Sequence, residues 1–435
     1  MAAMIETHEL PEAMARLDRL TDWERRPRRA MRVGLAPMQD LAARLGGPHK
    51  AFRSIHVAGT KGKGSVSALI EAALTRAGVA VGRYGSPHVE RVTERVSLQG
   101  ADVDEATLAG ALTPALDAYE EARRAMTPAA DATWFDLLTC AAFLIFRAAP
   151  VEWAVVEVGL GGRRDSTNIV EGEIAVVTNI GLEHTEILGE TRGKIAWEKV
   201  GVLKPGAVLV TTLDRDDEAG RVLQARADEL GCAVARAAPA SGATIEETNV
   251  ALAGVVLDRL GQSGVRTRSG EPIGASLLDA RTRAAARLIG RMERRDVEAG
   301  GSRVPLVFDG AHVPFNLAAV LADLARAPDL AAAPCVAVVA LAADKDARGF
   351  MAELGRRASA VVCTDLPSTS RGRPAEDLHA IARALGLASE VESDPRRAFR
   401  RGLELAEKSG AWLLVTGSLY LIGELRGEAA RFASA

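Results

Sequence analysis

Ile55-His56-Val57-Ala58-Gly59-Thr60-Lys61-Gly62-Lys63-Gly64-Ser65 is an apolar run that ends in a glycine-rich turn with two lysines and a hydroxyl. An alanine-rich amphipathic stretch over 66–77 follows at once. Strand, glycine loop, helix is the order that a phosphate-binding loop requires. Glycines let backbone N–H groups turn inward around anionic oxygens, and the helix adds its positive N-terminal end. Gly59, Thr60, Lys61, Gly62, Lys63, Gly64 and Ser65 are therefore the candidate nucleotide-binding residues. Lys63 is placed to reach the outer phosphates, and the Ser65 hydroxyl can serve magnesium, which prefers oxygen. A ligand-free strand–helix turn is the plainer alternative, and the placement of Lys63 and Ser65 argues against it. The spacing departs from G-x-x-x-x-G-K-[ST], because Gly64 separates the lysine from the serine.

A chain of 435 residues is long enough for two or three domains. With 48% hydrophobic and 26% charged residues it reads as a folded globular protein. A net charge of −3 and the lack of a basic face argue against a primary nucleic-acid role. No 18-residue apolar run and no signal-peptide pattern occur, so a cytoplasmic protein away from membranes is expected. Cys140, Cys232, Cys335 and Cys363 are scattered in mostly apolar contexts and read as core thiols. Arg25 to Arg32 is locally basic; a solvated face is its default, with contact to an anionic substrate as the alternative.

Working outward from the loop, a second short strand over 79–83 leads into Gly85-Ser86-Pro87-His88. Ser86 and His88 flank the proline with polar groups that could line a substrate mouth, or His88 could simply cap a turn. Arg91, Glu94 and Arg95 would alone be an ordinary charged face. Helical patterns cover 104–127 and the apolar segment after Thr133, where Asp136 in the first turn complements the helix dipole. The run 153–157 is continuously apolar, as a parallel strand covered on both faces must be, and it ends in Glu157. An acid there is costly to bury unless it is paired or bound to a cation. It either pairs with Arg163 or Arg164, or ligates a metal at the carboxyl end of its strand. A third apolar strand over 174–179 is followed by Glu183-His184. Ser65, Glu157 and His184 thus converge on one sheet edge. Lys199, on a helix over 191–200, lies next to the loops that carry the site. Asn249, at the start of a helix over 250–260, is a helix-terminus or base-contact residue.

The arginine-rich stretch 281–295 reads as helix, then a turn at Gly290, and could present Arg291 to phosphate. Residues 298–302 (EAGGS) fit a domain linker. Strand and helix patterns then alternate to the end, which predicts a second open α/β domain. Its strand ends would bring Asp309, Asp344 and Gly417 to one edge. The expected fold is α/β: a P-loop-type, mostly parallel sheet domain over 1–296, a smaller Rossmann-like domain over 303–435, and the active site in the cleft between them.

This combination resembles the folylpolyglutamate synthase/dihydrofolate synthase family, a branch of the Mur-type ATP-dependent amino-acid ligases. The motifs that carry the resemblance are IHVAGTKGKGS (55–65), GSPHVERVTER (85–95), EVGLGGRRDSTN (157–168), TNIGLEHT (178–185), DGAHVP (309–314), ADKD (343–346) and TGSLYL (416–421). They run in family order over most of the chain, and the extra Gly64 is a mark of this branch. The resemblance implies ATP and two magnesium ions as cofactors, with L-glutamate and a folate or dihydropteroate acid as substrates, in a monomer. Lys63 would hold the β- and γ-phosphates. Ser65 and Glu157 would hold one magnesium, and Glu157 with His184 a second. Lys199 would be the lysine that can be carbamylated, its new carboxylate serving that second ion. Asn249 and Arg291 would contact the nucleotide, Asp309 its ribose, and His312 the phosphates and the incoming glutamate. Ser86, Pro87, His88 and Asp136 would belong to the acid-substrate side.

The chain departs from the family pattern at several points. Val313 stands in place of asparagine, Glu183 in place of aspartate, Asp136 in place of glutamate, and Ile245-Glu246 in place of His-Gln. The region between Cys232 and Asn249 reads as several tens of residues short, missing sheet that would complete the first domain. A related ligase for a different acid, or a non-catalytic nucleotide-binding protein of this fold, are the competing functions.

Overall fold

A computed structural model describes residues 9–24 and 34–432. The basic stretch from Arg25 to Arg32 lies outside the described residues. The chain divides into two compact units, Met1–Ala286 and Arg287–Ala435.

The first unit is built on eight strands: β1 (Arg53–Ala58), β2 (Val81–Tyr84), β3 (Val96–Leu98), β4 (Ala101–Asp102), β5 (Trp153–Glu157), β6 (Gly172–Val177), β7 (Val208–Thr211) and β8 (Ala233–Arg236). Their spatial order is β4-β3-β2-β5-β1-β6-β7-β8. From β2 to β8 every pairing is parallel, and β3 and β4 add an antiparallel edge. The central strands are buried along almost their whole length, which is why they read as unbroken apolar runs. Alternate residues serve opposite faces. Ala154 and Val156 pack among the helices Ala36–Arg44, Glu105–Ala125 and Trp134–Ala148. Ala175, Val177 and Leu209 pack on Arg192–Val200 and Glu218–Leu230. The helix Lys63–Ala77, which is buried on most sides, lies between the sheet and the helix Ile245–Gln262. Gly62 and Gly78, both in the left-handed region, start and stop it. The chain runs from β8 through residues 237–244 straight into Ile245–Gln262, and β7 and β8 complete this side of the sheet without a further insertion.

The second unit carries β9 (Glu293–Ala299), β10 (Ser302–Asp309), β11 (Cys335–Val339), β12 (Ala358–Cys363), β13 (Ser389–Val391) and β14 (Trp412–Thr416) in the order β13-β12-β11-β14-β10-β9. All pairings are parallel except β9 with β10. That exception corrects the expected linker at 298–302. Gly300 and Gly301, with φ of 54° and 86°, form the two-residue turn of a hairpin, and the boundary between units falls earlier, after Ala286. A Gly-Gly pair among polar residues marks a linker and a hairpin turn equally well. The charged residues of β9, an edge strand facing water, hide its strand character. The arginine-rich stretch is accordingly divided into a short helix, Ala280–Ala285, the Gly290 turn and β9.

Candidate active site

The site in the first unit grows from strand register. Parallel pairing sets Val57 level with Glu157 and Ala58 level with Val177, so β1, β5 and β6 end together. The loop after β1 is then clasped by the segment after β6. The Thr60 N–H donates to the Asn179 carbonyl at 2.9 Å, and the Lys61 N–H donates to Asn179 Oδ1 at 2.9 Å. The Lys61 carbonyl accepts from the Thr178 hydroxyl at 2.6 Å and from Asn179 Nδ2 at 3.0 Å. With the loop pinned by its outer edge, the first turn of the helix follows. Its first backbone bond runs from the Val66 N–H to the Gly62 carbonyl, so the N–H groups of residues 62–65 precede the helical ladder. Gly59 is required here: a Cβ would lie 1.9 Å from Thr178 Oγ1, and its φ is 147°. Gly62 is likewise closed in, since a Cβ would lie 2.8 Å from Oδ1 of Asn249. Asn249 is buried inside the helix Ile245–Gln262, not at a helix terminus as the sequence reading has it, and stands against the loop.

Glu157 is 5% exposed and sits at the end of β5. Its carboxylate accepts the Ser86 N–H at 3.2 Å, and one oxygen lies 4.0 Å from Lys63 Nζ. It thus joins the glycine-rich loop to the Ser86–His88 loop, and Arg163, one of the two arginines of the alternative ion-pair reading, is bound to Glu198. His184 occupies the left-handed region at the start of a short helix. Its Nε2 is 3.6 Å from Glu183, whose carboxylate also holds Lys61 at 3.0 Å. Lys199 is buried, and its Nζ donates to the Gly59 carbonyl at 2.8 Å. Burial, reinforced by the positive charge of Lys63, pushes its amine down to about 7 against a partial counterweight from Glu183. The phosphate loop thus touches Lys199 directly, and Lys63 and Lys61 reach Glu157 and Glu183.

In the second unit Asp309 ends β10. Its carboxylate accepts the N–H groups of Ala311 at 2.8 Å and Met292 at 2.9 Å. A Cβ on Gly310 would come 3.4 Å from the Arg291 guanidinium, so Arg291 flanks the same turn. His312 Nδ1 lies 2.9 Å from the Gly310 carbonyl; an N–H must donate there, which leaves Nε2 as the acceptor of a neutral ring. The Gly417 N–H donates to the Ala311 carbonyl at 2.9 Å, which brings the end of β14 to the same edge. Asp344 is held by Arg371 at 2.9 Å.

Residues 57–257 match the family model described as Mur ligase middle domain, and residues 290–419 match Mur ligase, glutamate ligase domain. The dihydrofolate synthase/folylpolyglutamate synthase of Mycobacterium tuberculosis is 30% identical over 419 residues, 88% of this chain and 83% of that protein. The chain belongs to the folylpolyglutamate synthase/dihydrofolate synthase family. The dihydrofolate synthase/folylpolyglutamate synthase of Bacillus subtilis is 40% identical over 191 residues, a match that spans 43% of either chain. The solved structure of E. coli FolC in complex with DHPP and ADP superposes with a TM-score of 0.78 at 26% identity, covering 97% of this chain and 98% of that one.

Within this family fold, two residues read differently from the sequence expectation. Asp136, expected on the substrate side, is 5% exposed and is used by the frame. One oxygen accepts from the N–H and hydroxyl of Thr133, closing a capping box on the helix Trp134–Ala148, and the other accepts from the Ser166 hydroxyl. Arg95, expected on a charged surface, is 1% exposed. Other contributors had no signal of their own. Asp165 accepts the N–H groups of Leu160 and Thr167 and so shapes the turn after Glu157. That turn is tied to the Lys199 helix by the Arg163 N–H on the Glu198 carbonyl and by Asn168 Nδ2 on the Gly201 carbonyl. The three glycines of 157–168, whose Cβ atoms would strike Phe135, Leu188 and the Lys199 carbonyl, were the available clue to such close packing.

Proposed function

We propose that this family member joins L-glutamate to a folate or dihydropteroate carboxylate through an acyl phosphate, as folylpolyglutamate synthase, dihydrofolate synthase or both. It is an ATP-dependent carboxylate–amine ligase. The observation that carries the reading is the assembly of Lys63, Glu157 and the buried Lys199 around one phosphate-binding loop in a chain of this family.

The residues supply the chemistry in order. The N–H groups of residues 62–65 and the Lys63 ammonium offset the charge of the triphosphate, which otherwise repels a carboxylate nucleophile. The acid's oxygen attacks the γ-phosphorus, ADP leaves, and an acyl phosphate remains. The amine of L-glutamate attacks the activated carbonyl and phosphate departs with formation of the amide. With its Nδ1–H donated to the Gly310 carbonyl, a neutral His312 ring carries its lone pair on Nε2, the atom that could accept a proton from that amine. Asp309 and Arg291 are the nucleotide-side contacts of the second unit, and Asn249 that of the first.

The donor set of Ser65, Glu157 and His184 fits a divalent cation, because a buried carboxylate at the sheet edge, a hydroxyl and an imidazole suit a hard ion that also binds phosphate. Magnesium bound there would neutralise phosphate charge. Lys199 has the property that carbamylation needs: an amine held down to about 7 is largely uncharged at pH 8 and can add carbon dioxide, releasing a proton. The carbamate would add two oxygens to the same donor set.

The test is purified protein with ATP, magnesium and L-glutamate, offered dihydropteroate and tetrahydrofolate in turn. Acid-dependent ADP release with a mass gain of one glutamyl residue is expected, and absence of turnover with both acids overturns the reading.

A further inference from the structure

Among the described residues, Arg95 is the most deeply buried arginine, and the phosphate site does not explain its role. Its Nε donates to His88 Nδ1 at 2.8 Å. Its two terminal nitrogens grip both oxygens of Glu24, at 3.0 and 2.5 Å. The guanidinium lies 4.8 Å from the Trp134 ring, whose Nε1 is anchored on Asp18 at 3.1 Å. The Arg95 carbonyl accepts the Gly85 N–H at 2.8 Å. One residue therefore holds both ends of the Gly85–His88 loop. Its neighbour Glu94 gathers the N–H groups of Val89, Glu90 and Arg91, at 2.7, 2.9 and 2.7 Å, and stops the loop's exit from moving. At the other end the loop reaches the phosphate site, because the Ser86 N–H is bound by Glu157.

The direction of the Arg95–His88 bond has a chemical consequence. Arginine has no acceptor, so His88 Nδ1 must accept. The proton of the neutral ring then sits on Nε2, on the side of the half-buried imidazole away from Arg95. We propose that Arg95 is a positioning residue that fixes His88 as an Nε2–H donor for the carboxyl-bearing substrate. This rests on the reading above that the Ser86–His88 loop faces the acid. A carboxylate or acyl oxygen gains from a fixed N–H donor and loses from the opposite tautomer, which would present a lone pair to it. Glu24 and the Trp134 face keep the guanidinium in one orientation, so it cannot rotate its Nε–H away from the imidazole.

Two experiments test this. The first uses the unaltered protein: selective ¹⁵N-histidine labelling, with the His88 signal assigned by its loss in His88→Ala. An Nε2–H ring for His88 is expected, and an Nδ1–H ring overturns the proposal whether or not the protein proves to be a ligase. The second compares Arg95→Gln, Arg95→Lys, His88→Ala and the double variant Arg95→Gln/His88→Ala in steady-state kinetics. The Arg95 variants are expected to raise KM for the acid about tenfold, as loss of one charge-assisted hydrogen bond would, while KM for ATP stays within about twofold. The double variant should be no worse than His88→Ala, because Arg95 acts through the imidazole. Independent, additive losses, or equal rises in both KM values, overturn the proposal. If Arg95→Gln does not fold, Arg95→Lys and the labelling experiment still decide it. If the unaltered protein turns over neither acid, the functional reading falls and the imidazole spectrum judges the Arg95–His88 bond by itself.

Discussion

At the edge of the first sheet, Lys61 is clasped by Thr178 and Asn179 from 117 and 118 residues away, and Lys199 reaches Gly59 across 140. At the edge of the second, Asp309 is fastened by the N–H groups of Ala311 and Met292, 2 and 17 residues away. Both edges are strand ends of parallel sheets followed by a helix. They differ in where their rigidity comes from. The first site exists only when β1, β5 and β6 stand in register, so its geometry is inherited from the whole unit. The second is mostly a property of one turn. Closing a long loop costs entropy that only the completed sheet and core repay, so the first site should fail sharply with its framework and the second should fail piecemeal.

The comparison can be broken most severely at Glu157. Glu157→Ala removes the acid shared by the Lys63 side and the Ser86 loop, and turnover should fall about a thousandfold or more while the far-ultraviolet spectrum is retained. Retained ADP release would remove Glu157 from the chemistry. Next comes Gly59→Ala. The added carbon meets Thr178 Oγ1 at 1.9 Å on a backbone reserved for glycine, and a loss of about 3 kcal/mol in urea denaturation is expected, together with loss of nucleotide binding. A variant as stable as the parent would show that the loop is not clamped from β6.

A third measurement uses pH. Lys199 has its amine lowered from 10.5 to about 7 in the folded protein, so between those values the unfolded chain binds the extra proton. The cost of the buried amine is therefore full below pH 7 and fades as pH rises towards 10.5. Relative to Lys199→Met, the parent should gain about 2 kcal/mol of stability from pH 7 to 9. A flat difference would mean that the amine titrates normally.

Asp309→Asn is the milder counterpart in the second unit. The amide can satisfy one of the two N–H groups but not both, a loss of about 1–2 kcal/mol. Hydrogen exchange should quicken at Ala311 and Met292 and stay unchanged at Lys61; acceleration at Lys61 would contradict the local character assigned to this turn. The smallest effect is expected of Val313→Asn. Val313 caps the helix Pro314–Leu324 without a side-chain bond, and asparagine could supply one at the expense of a buried apolar group. The melting temperature should move by no more than about 1 kcal/mol implies, and a larger loss would show that burial outweighs the cap.

Residue type and position along a strand made the first site partly legible. Glycines and lysines at the end of an apolar run, an acid at the end of another, and a histidine past a third point to one edge once the sheet is taken as parallel. Lys199 was legible as a candidate only by its place beside the loops, since a lysine on a charged helix is ordinarily solvated; the carbamylation reading came from the family resemblance. Arg95 was misjudged for the same reason: charged residues in a polar stretch are mostly at the surface, and its burial here depends on Glu24 arriving from 71 residues away. Asp136 keeps the first-turn place read from the sequence, with Thr133 and Ser166 as its partners. The Gly300–Gly301 hairpin was misjudged because a turn and a linker have the same composition.

Local periodicity and spacing along the chain were enough for the α/β alternation, the family, and a glycine-rich loop over Gly59–Ser65 between strand and helix. Only the tertiary structure shows the register of β1, β5 and β6, that Asn179 and Thr178 hold the loop, that the Lys199 amine is buried on the Gly59 carbonyl, and that Arg95 bonds the His88 imidazole. Hydrogen-bond direction and burial depend on which distant groups surround a side chain, and that neighbourhood exists only after the sheet has closed.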